Sequence, residues 1–270
     1  MSEQYLHRGD APFADSVWEQ IDRAVVETAK SQLSGRRILS TVGPFGLGFK
    51  AVPLSDSTAD GKTVEGVTVS GCGSIPLAML RSDFSLPVRD LVAAEQSGLP
   101  LDLGPATKAA IAVARQEDSL IFSGLAPLGG AGLLNTPGSH SVKLKPWKEV
   151  GAAADDVIAA VTELDNAGFH GPYALALAPK LYNLLFRRYA QGNQTELEHI
   201  RQVVPDGVVK APGLPAGGVL IDTSGPFASI VLGQDLVTSF VGPGAGEYQF
   251  SVLETIALWV RVPQAVCVLK

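Results

Sequence analysis

The sequence predicts an α+β fold, and three patterns within its 270 residues predict it. An apolar stripe at three- and four-residue steps runs from about Ser16 to Leu33. A long stretch from Gly43 to about Gly73 is rich in Gly and poor in helix formers. Beyond residue 150, helical and strand-like segments alternate.

The first helix is read from Trp18, Ile21, Val25, Ala29 and Leu33, with Glu19, Asp22, Arg23, Glu27 and Lys30 on the opposite face. Ser16 followed by Glu19 fits a capping box, and Gly35 is the expected stop. After Arg36-Arg37-Ile38-Leu39, the run Gly43-Pro44-Phe45-Gly46-Leu47-Gly48 opens an arm. Within it Lys62–Val69 alternates as a strand, with Asp60-Gly61 as a turn. Two strands alone bury too little to be stable, so the arm must lie on something else. A long Ala-rich helix follows over Pro105–Phe122, ending at Gly124 and leading into a Gly-rich segment to Asn135. The helix over Ala153–Ala167 carries Val157, Ile158, Val161 and Leu164 as its stripe. Then come a strand over Tyr173–Ala178 and helices over Lys180–Tyr189 and Glu196–Val203, joined by a polar loop. Strands are expected over Val208–Ala211, Gly218–Asp222, Ala228–Gly233, Tyr248–Val262 and Ala265–Leu269.

Composition narrows the function. Charged residues make up 18% of the chain, against about 25% on average. A compact monomer of this mass exposes about 11,000 Å². So few charges cover that area poorly and point to faces packed on other subunits. A net charge of -6 and no dense Lys/Arg run argue against a nucleic-acid partner. Cys72 and Cys267 make neither a disulfide framework nor a metal spacing, which predicts a reducing cytoplasm. The first residues lack a secretory pattern, and no apolar run is long enough to span a membrane.

No catalytic constellation emerges. Neither Gly43–Gly48 nor Gly242-Pro243-Gly244-Ala245-Gly246 is a dinucleotide fingerprint or a phosphate loop. His7, His140, His170 and His199 have no metal-ligand spacing. Glu117-Asp118 and Asp155-Asp156 are sequence neighbours, which point about 100° apart on a helix and do not converge as an acid/base pair. Asp155-Asp156 reads as a complement to a helix N-terminus, and Glu117-Asp118 as a structural ion pair with an Arg. Cys72, in Gly71-Cys72-Gly73, has no neighbouring base.

The order of short motifs resembles a known family. Ala11-Pro12 precedes the helix with Trp18, and Gly35-Arg36-Arg37-Ile38 and Gly43-Pro44-Phe45-Gly46 follow it. Later come Glu117-Asp118 with Ile121-Phe122-Ser123-Gly124, then Gly171-Pro172-Tyr173, Leu232-Gly233-Gln234-Asp235-Leu236 and Glu254-Thr255. In this order, over essentially the whole chain, they resemble the encapsulins, bacterial and archaeal shell proteins with the HK97-type phage capsid fold. The resemblance implies an N-terminal helix arm (1–43), an extended loop (44–74), a peripheral domain (75–134 and 223–270) and an axial domain (135–222). It places a fivefold pore loop at Tyr189, Ala190, Gln191, Gly192, Asn193, Gln194 and Thr195, whose small and amide side chains would line a neutral, hydrated opening. It also implies a docking groove for a cargo targeting peptide, walled by Ile21, Val25, Leu33, Ile38, Ile230, Leu232 and Asp235. Some relatives stack a flavin on an aromatic residue just after the position of Phe84-Ser85-Leu86. Here Pro87-Val88-Arg89 follow, so no flavin is expected there, and no other cofactor or metal is implied.

The implied function is a non-enzymatic, cytoplasmic shell of sixty subunits or a multiple, closed by repeated heterologous contacts. It would enclose a cargo enzyme, a ferritin-like iron oxidase or a dye-decolorising peroxidase, held by its targeting peptide. Two alternatives share parts of this reading. A phage or prophage major capsid protein would package DNA and purify with nucleic-acid absorbance. A soluble protease or hydrolase would need a nucleophile and base among the two cysteines and four histidines.

Overall fold

The computed structural model describes residues 3–57, 63–64, 67–68, 71–125, 127 and 130–270. After two short 3₁₀ turns, α1 spans Asp15–Gln32 and buries Val17, Trp18, Ile21, Val25 and Ala29. The expected stripe is therefore the buried face. The expected capping box does not form. Ser16 lies inside the helix, Ala14 is the cap residue, and Ala14 donates its N–H to Glu95 instead (2.6 Å). Nor does Gly35 end the helix, since Leu33 does; Gly35 starts a 3₁₀ turn to Arg37. A Cβ on Gly35 would lie 2.5 Å from Ile121 Cδ1, so the residue is needed for close approach.

Strand β1 (Ser40–Val42) leads to Gly43, where φ is +113° and an added Cβ would meet the Leu232 carbonyl at 2.4 Å. The arm follows, with β2 (Ala51–Ser57), β3 (Thr63–Val64), β4 (Val67–Thr68) and β5 (Gly71–Pro76). β2 pairs antiparallel with β5, and β3 with β4. The single strand expected over Lys62–Val69 is thus replaced by two short paired strands; Lys62, Glu65, Gly66, Val69 and the Asp60-Gly61 turn lie outside the described residues.

Next comes β6 (Ala78–Pro87), whose Ala78, Leu80, Phe84 and Leu86 are buried while Met79, Arg81, Asp83 and Pro87 face out. α2 (Val88–Ser97) and α3 (Gly104–Ser123) follow, then a hairpin of β7 (Gly124–Leu125) and β8 (Gly130–Ala131). The remaining elements are β9 (His140–Val142), α4 (Ala152–Asn166), β10 (Tyr173–Leu177), α5 (Pro179–Leu184), α6 (Glu196–Val203), β11 (Val208–Lys210), β12 (Gly218–Asp222), β13 (Ala228–Leu232), β14 (Val237–Pro243), β15 (Glu247–Val260) and β16 (Val266–Leu269). α5 is shorter than the helix expected over Lys180–Tyr189. Ile158, expected in the apolar stripe of α4, is exposed.

Two five-stranded sheets organise the chain. In the first, β15 pairs with β6 along one edge and with β14 and β13 along the other, and β1 extends β13 in parallel. α1 and α3 pack together against this sheet, where Ala109, Ala110 and Ala114 of α3 admit close contact. The second sheet runs β11-β10-β12-β16-β9. Its central strands are buried on both faces, which explains their unbroken apolar sequence. Ala174, Ala176, Val219 and Ile221 face the first core, while Tyr173, Leu175, Leu177 and Leu220 face α4 and α6. The stretch 223–270 consequently divides between sheets: β13–β15 enter the first, whereas β16 closes the second.

Candidate functional site

The turn after α1 is a charged and largely buried junction. Arg36 donates from Nε and Nη2 to the two carboxylate oxygens of Glu117 on α3 (2.8 and 3.0 Å). Its Nη1 donates to Asp235 (2.9 Å) and its Nη2 also to Glu254 on β15. Burial works to lower the Arg36 pKa, but the hydrogen bond to Glu117 and the charges of Glu254 and Glu117 outweigh it, so the guanidinium stays fully ionised. The neighbouring Asp118 accepts from the Ser34 and Gly35 amides and the Ser34 hydroxyl (2.6–3.0 Å). Burial raises the pKa of Asp118 and these hydrogen bonds oppose the rise. The expected Glu117–Arg pair is present. Asp118 does a different job, fixing the exit of α1.

Around this junction sit the residues expected to wall a peptide groove. Ile21, Val25, Ile38, Ile230 and Leu232 are buried in the first core, and Leu33 is buried with Ala29 and Ala114 in a smaller cluster that Leu236 covers. Their side chains are spent on the subunit's own core. Asp235 alone of the seven is half exposed (50%), at the outer end of the Arg36 network. A polar cleft of about 240 Å³ opens next to Ile38, between the two sheets, with Arg37, Ser40, Asp206, Asp222 and Thr223 among its walls.

The loop from Tyr189 to Thr195 is a tight excursion from the second unit. Arg188 bridges Thr195 across its base, and the Tyr189 N–H donates to the Gln194 carbonyl. Ala190, Gln191, Gly192, Asn193 and Gln194 are exposed, while Tyr189 is half-buried and its hydroxyl meets His199 Nδ1 at 2.8 Å. Thr195 caps α6 in a reciprocal box with Glu198.

Two charged residues anchor the loop on either side. Buried Glu196 accepts the N–H groups of Gly151, Ala153 and Ala154 (2.9–3.2 Å), closing the N-terminus of α4 with a carboxylate from 42–45 residues away. Arg187 donates to Glu196 and to the Trp147 and Lys148 carbonyls. Of Asp155-Asp156, expected to complement the dipole of α4, Asp155 lies in the first turn, whereas Asp156 is buried and accepts from Trp147 Nε1 and the Lys145 amide (both 2.9 Å). Glu196→Ala strands buried donors and is expected to cost about 2–3 kcal/mol, measured by urea denaturation. A cost under about 0.5 kcal/mol would show that water replaces the carboxylate.

Phe84 and Leu86 point into the core, and Ser85 donates to Glu247 (2.7 Å). Pro87 ends β6 and Val88-Arg89 begin α2. Among the described residues no cluster of His, Cys, Asp and Glu could hold a metal ion. No described helix is long and apolar enough to cross a membrane.

Residues 3–257 match the family model described as "Encapsulating protein for peroxidase". The chain is 32% identical over 280 residues to a type 1 encapsulin shell protein of Myxococcus xanthus, covering 98% of this chain and 96% of that one. It is also 32% identical over 262 residues to a diheme-cytochrome–encapsulin shell fusion protein of Kuenenia stuttgartiensis, covering 94% and 72%. Among solved structures, a virus-like particle from Pyrococcus furiosus superposes with a TM-score of 0.75 at 22% identity, covering 94% of this chain and 99% of that one.

Proposed function

The chain belongs to the encapsulin family of shell proteins, and from that membership we infer that it builds a closed icosahedral compartment of sixty copies or a multiple, in the cytoplasm, around a cargo enzyme. The subunit has the HK97-like capsid fold. We assign the first sheet with α1–α3 to the peripheral domain, the second sheet with α4–α6 to the axial domain, and 44–74 to an extended loop reaching a neighbour.

The observation that carries this reading is surface. The subunit exposes 14011 Å², roughly a quarter more than the 11,000 Å² or so of a compact monomer, with few charges to cover it. Among the described strands, β2 and β5 hydrogen-bond only to each other. A charge-poor excess of surface of this kind is stable where neighbouring copies cover it.

The chain contributes geometry rather than a catalytic step. Its most perturbed carboxyl, Glu254, belongs to a structural ion-pair network, not to an open cleft with a nucleophile. The cargo is a peroxidase or a ferritin-like iron oxidase, and its targeting peptide docks on the inner face along the seam of α1 and the first sheet. There Ile21, Val25, Leu33, Ile38, Ile230 and Leu232 form the packed base, and Asp235 stands at the lip. The axial loop Tyr189–Thr195 borders a neutral pore.

Negative-stain microscopy of the purified protein tests the assembly, with mass spectrometry of co-purified chains to identify the cargo. Uniform hollow particles are expected. A monomer or dimer on size exclusion would overturn the reading.

A further inference from the structure

We propose that Glu117 and Glu254 share a single proton and form, with Arg36, a clamp that fastens the α1–β1 junction to α3 and the first sheet and loosens as the pH rises.

The geometry leads to this. Both carboxyl side chains are fully buried, and both lean on one guanidinium that also serves Asp235. Glu117 is satisfied through both oxygens. Glu254 accepts from Arg36 through Oε1 only, and its Oε2 is buried without a hydrogen-bond partner. Three ionised carboxylates on one cation would leave surplus negative charge in the core, and an orphaned carboxylate oxygen besides. One proton held between Glu254 and Glu117 removes both costs, because a neutral carboxyl can donate where a carboxylate cannot.

The charged groups around the pair come from each element packed on it. Arg36 comes from the turn after α1, and Asp235 from the β13–β14 turn. One position along α3, Asp118 is turned onto Ser34 and Gly35, with Arg37 acting on it. Among the described residues, only Arg36 makes an ion pair with either carboxyl. Burial, then the charge of Glu117, push the Glu254 carboxyl up to about 9, against the pull of Arg36. The Glu254 and Glu117 carboxyls also lie within hydrogen-bonding reach of each other, which gives the proton a place between them.

The sign of the pH dependence follows. An unfolded chain releases this proton at the ordinary value of 4.5, while the buried Glu254 carboxyl keeps it to about 9. The folded state therefore binds the extra proton across that window. The clamp's stabilisation is full below 4.5 and declines as the pH climbs to about 9, where the folded pair ionises as well.

Infrared difference spectroscopy of the purified protein tests this whether or not the protein is assembled, so its outcome is separable from that of the shell reading. Wild type minus Glu254→Gln at pH 7 is expected to show the carbonyl stretch of a protonated carboxylic acid, fading as the pH passes about 9. Absence of that band at pH 7 would overturn the proposal. Should Glu254→Gln fail to fold, Glu117→Gln gives an independent arm. It removes the carboxylate that forces the proton onto the pair, so Glu254 ionises and the band is lost at pH 7. A band left unchanged by Glu117→Gln overturns the sharing. In thermal melts, the wild-type midpoint should fall between pH 5 and pH 9 more steeply than that of Glu254→Gln; parallel profiles count against the clamp.

Discussion

Arg36→Ala is expected to lower subunit stability by about 3–5 kcal/mol, the usual cost of removing one partner from a buried ion network. The size follows from the asymmetry of the site. Arg36 keeps 20% exposure, but the Glu117 and Glu254 side chains that depend on it are fully buried. Without the guanidinium, the buried Glu117 and Glu254 carboxyls lose the cation that balances the negative charge they hold between them, in a medium that does not solvate it. Arg36→Lys should fall between wild type and Ala, since an ammonium supplies charge without the planar fork that engages Glu117 through two bonds. The decisive control is Arg36→Met combined with Glu117→Gln and Glu254→Gln, which removes the charges together. Urea midpoints should recover in this variant. If Arg36→Ala alone costs under about 1 kcal/mol, the network is no keystone of the fold.

This network shows where sequence reasoning stops. Glu117-Asp118 on a helix signals an Arg partner, and one is there. The partner's other ligands lie at Asp235 and Glu254, 199 and 218 residues from Arg36, and no local pattern joins them. Distance along the chain, rather than chemistry, hides them. By contrast, the stripe of α1 and the Ala-rich α3 were legible because helical periodicity records which face is buried.

Of the elements absent from that reading, three were missed for different reasons. β6 carries a clear two-residue alternation, Ala78-Leu80-Phe84-Leu86 inward, and could have been found from it. α2 is amphipathic but has only Leu91 buried, so its stripe is too narrow to detect. β14 buries Thr238, Ser239 and Phe240 in succession and breaks at a bulge near Gly242, which erases its alternation. The α1 cap failed for a tertiary reason. Glu95, on α2, takes the Ala14 amide, and the helix starts before Ser16 can cap it. The residues expected to wall a peptide groove lie on α1, the segment after it, β13 and the turn beyond β13, yet burial separates the apolar six from Asp235, because a stripe that builds a core has little surface left to offer.

A second large effect is expected where the first sheet meets α1. Phe250 pairs with Phe84 on β6 and with Phe240 on β14, so three rings lie in one row across three strands. The Phe84 ring stacks on Phe250 at 5.1 Å, and Trp18 of α1 meets it edge-on at 5.7 Å. Phe13, from the segment before α1, closes the cluster at 5.8 Å. Phe250 is fully buried at the centre, so Phe250→Ala opens a cavity that four aromatic neighbours cannot collapse to fill. A loss of about 3–5 kcal/mol is expected, with Phe250→Leu costing less because it keeps part of the volume. The cluster joins the N-terminal segment, α1 and three strands of the first sheet. Its loss should therefore free α1 as well as soften the sheet, which amide exchange across Asp15–Gln32 would report. If α1 stays as protected as in wild type while global stability drops, Phe250 supports the sheet alone, and α1 is held instead by α3 and the Asp118–Ser34 contacts.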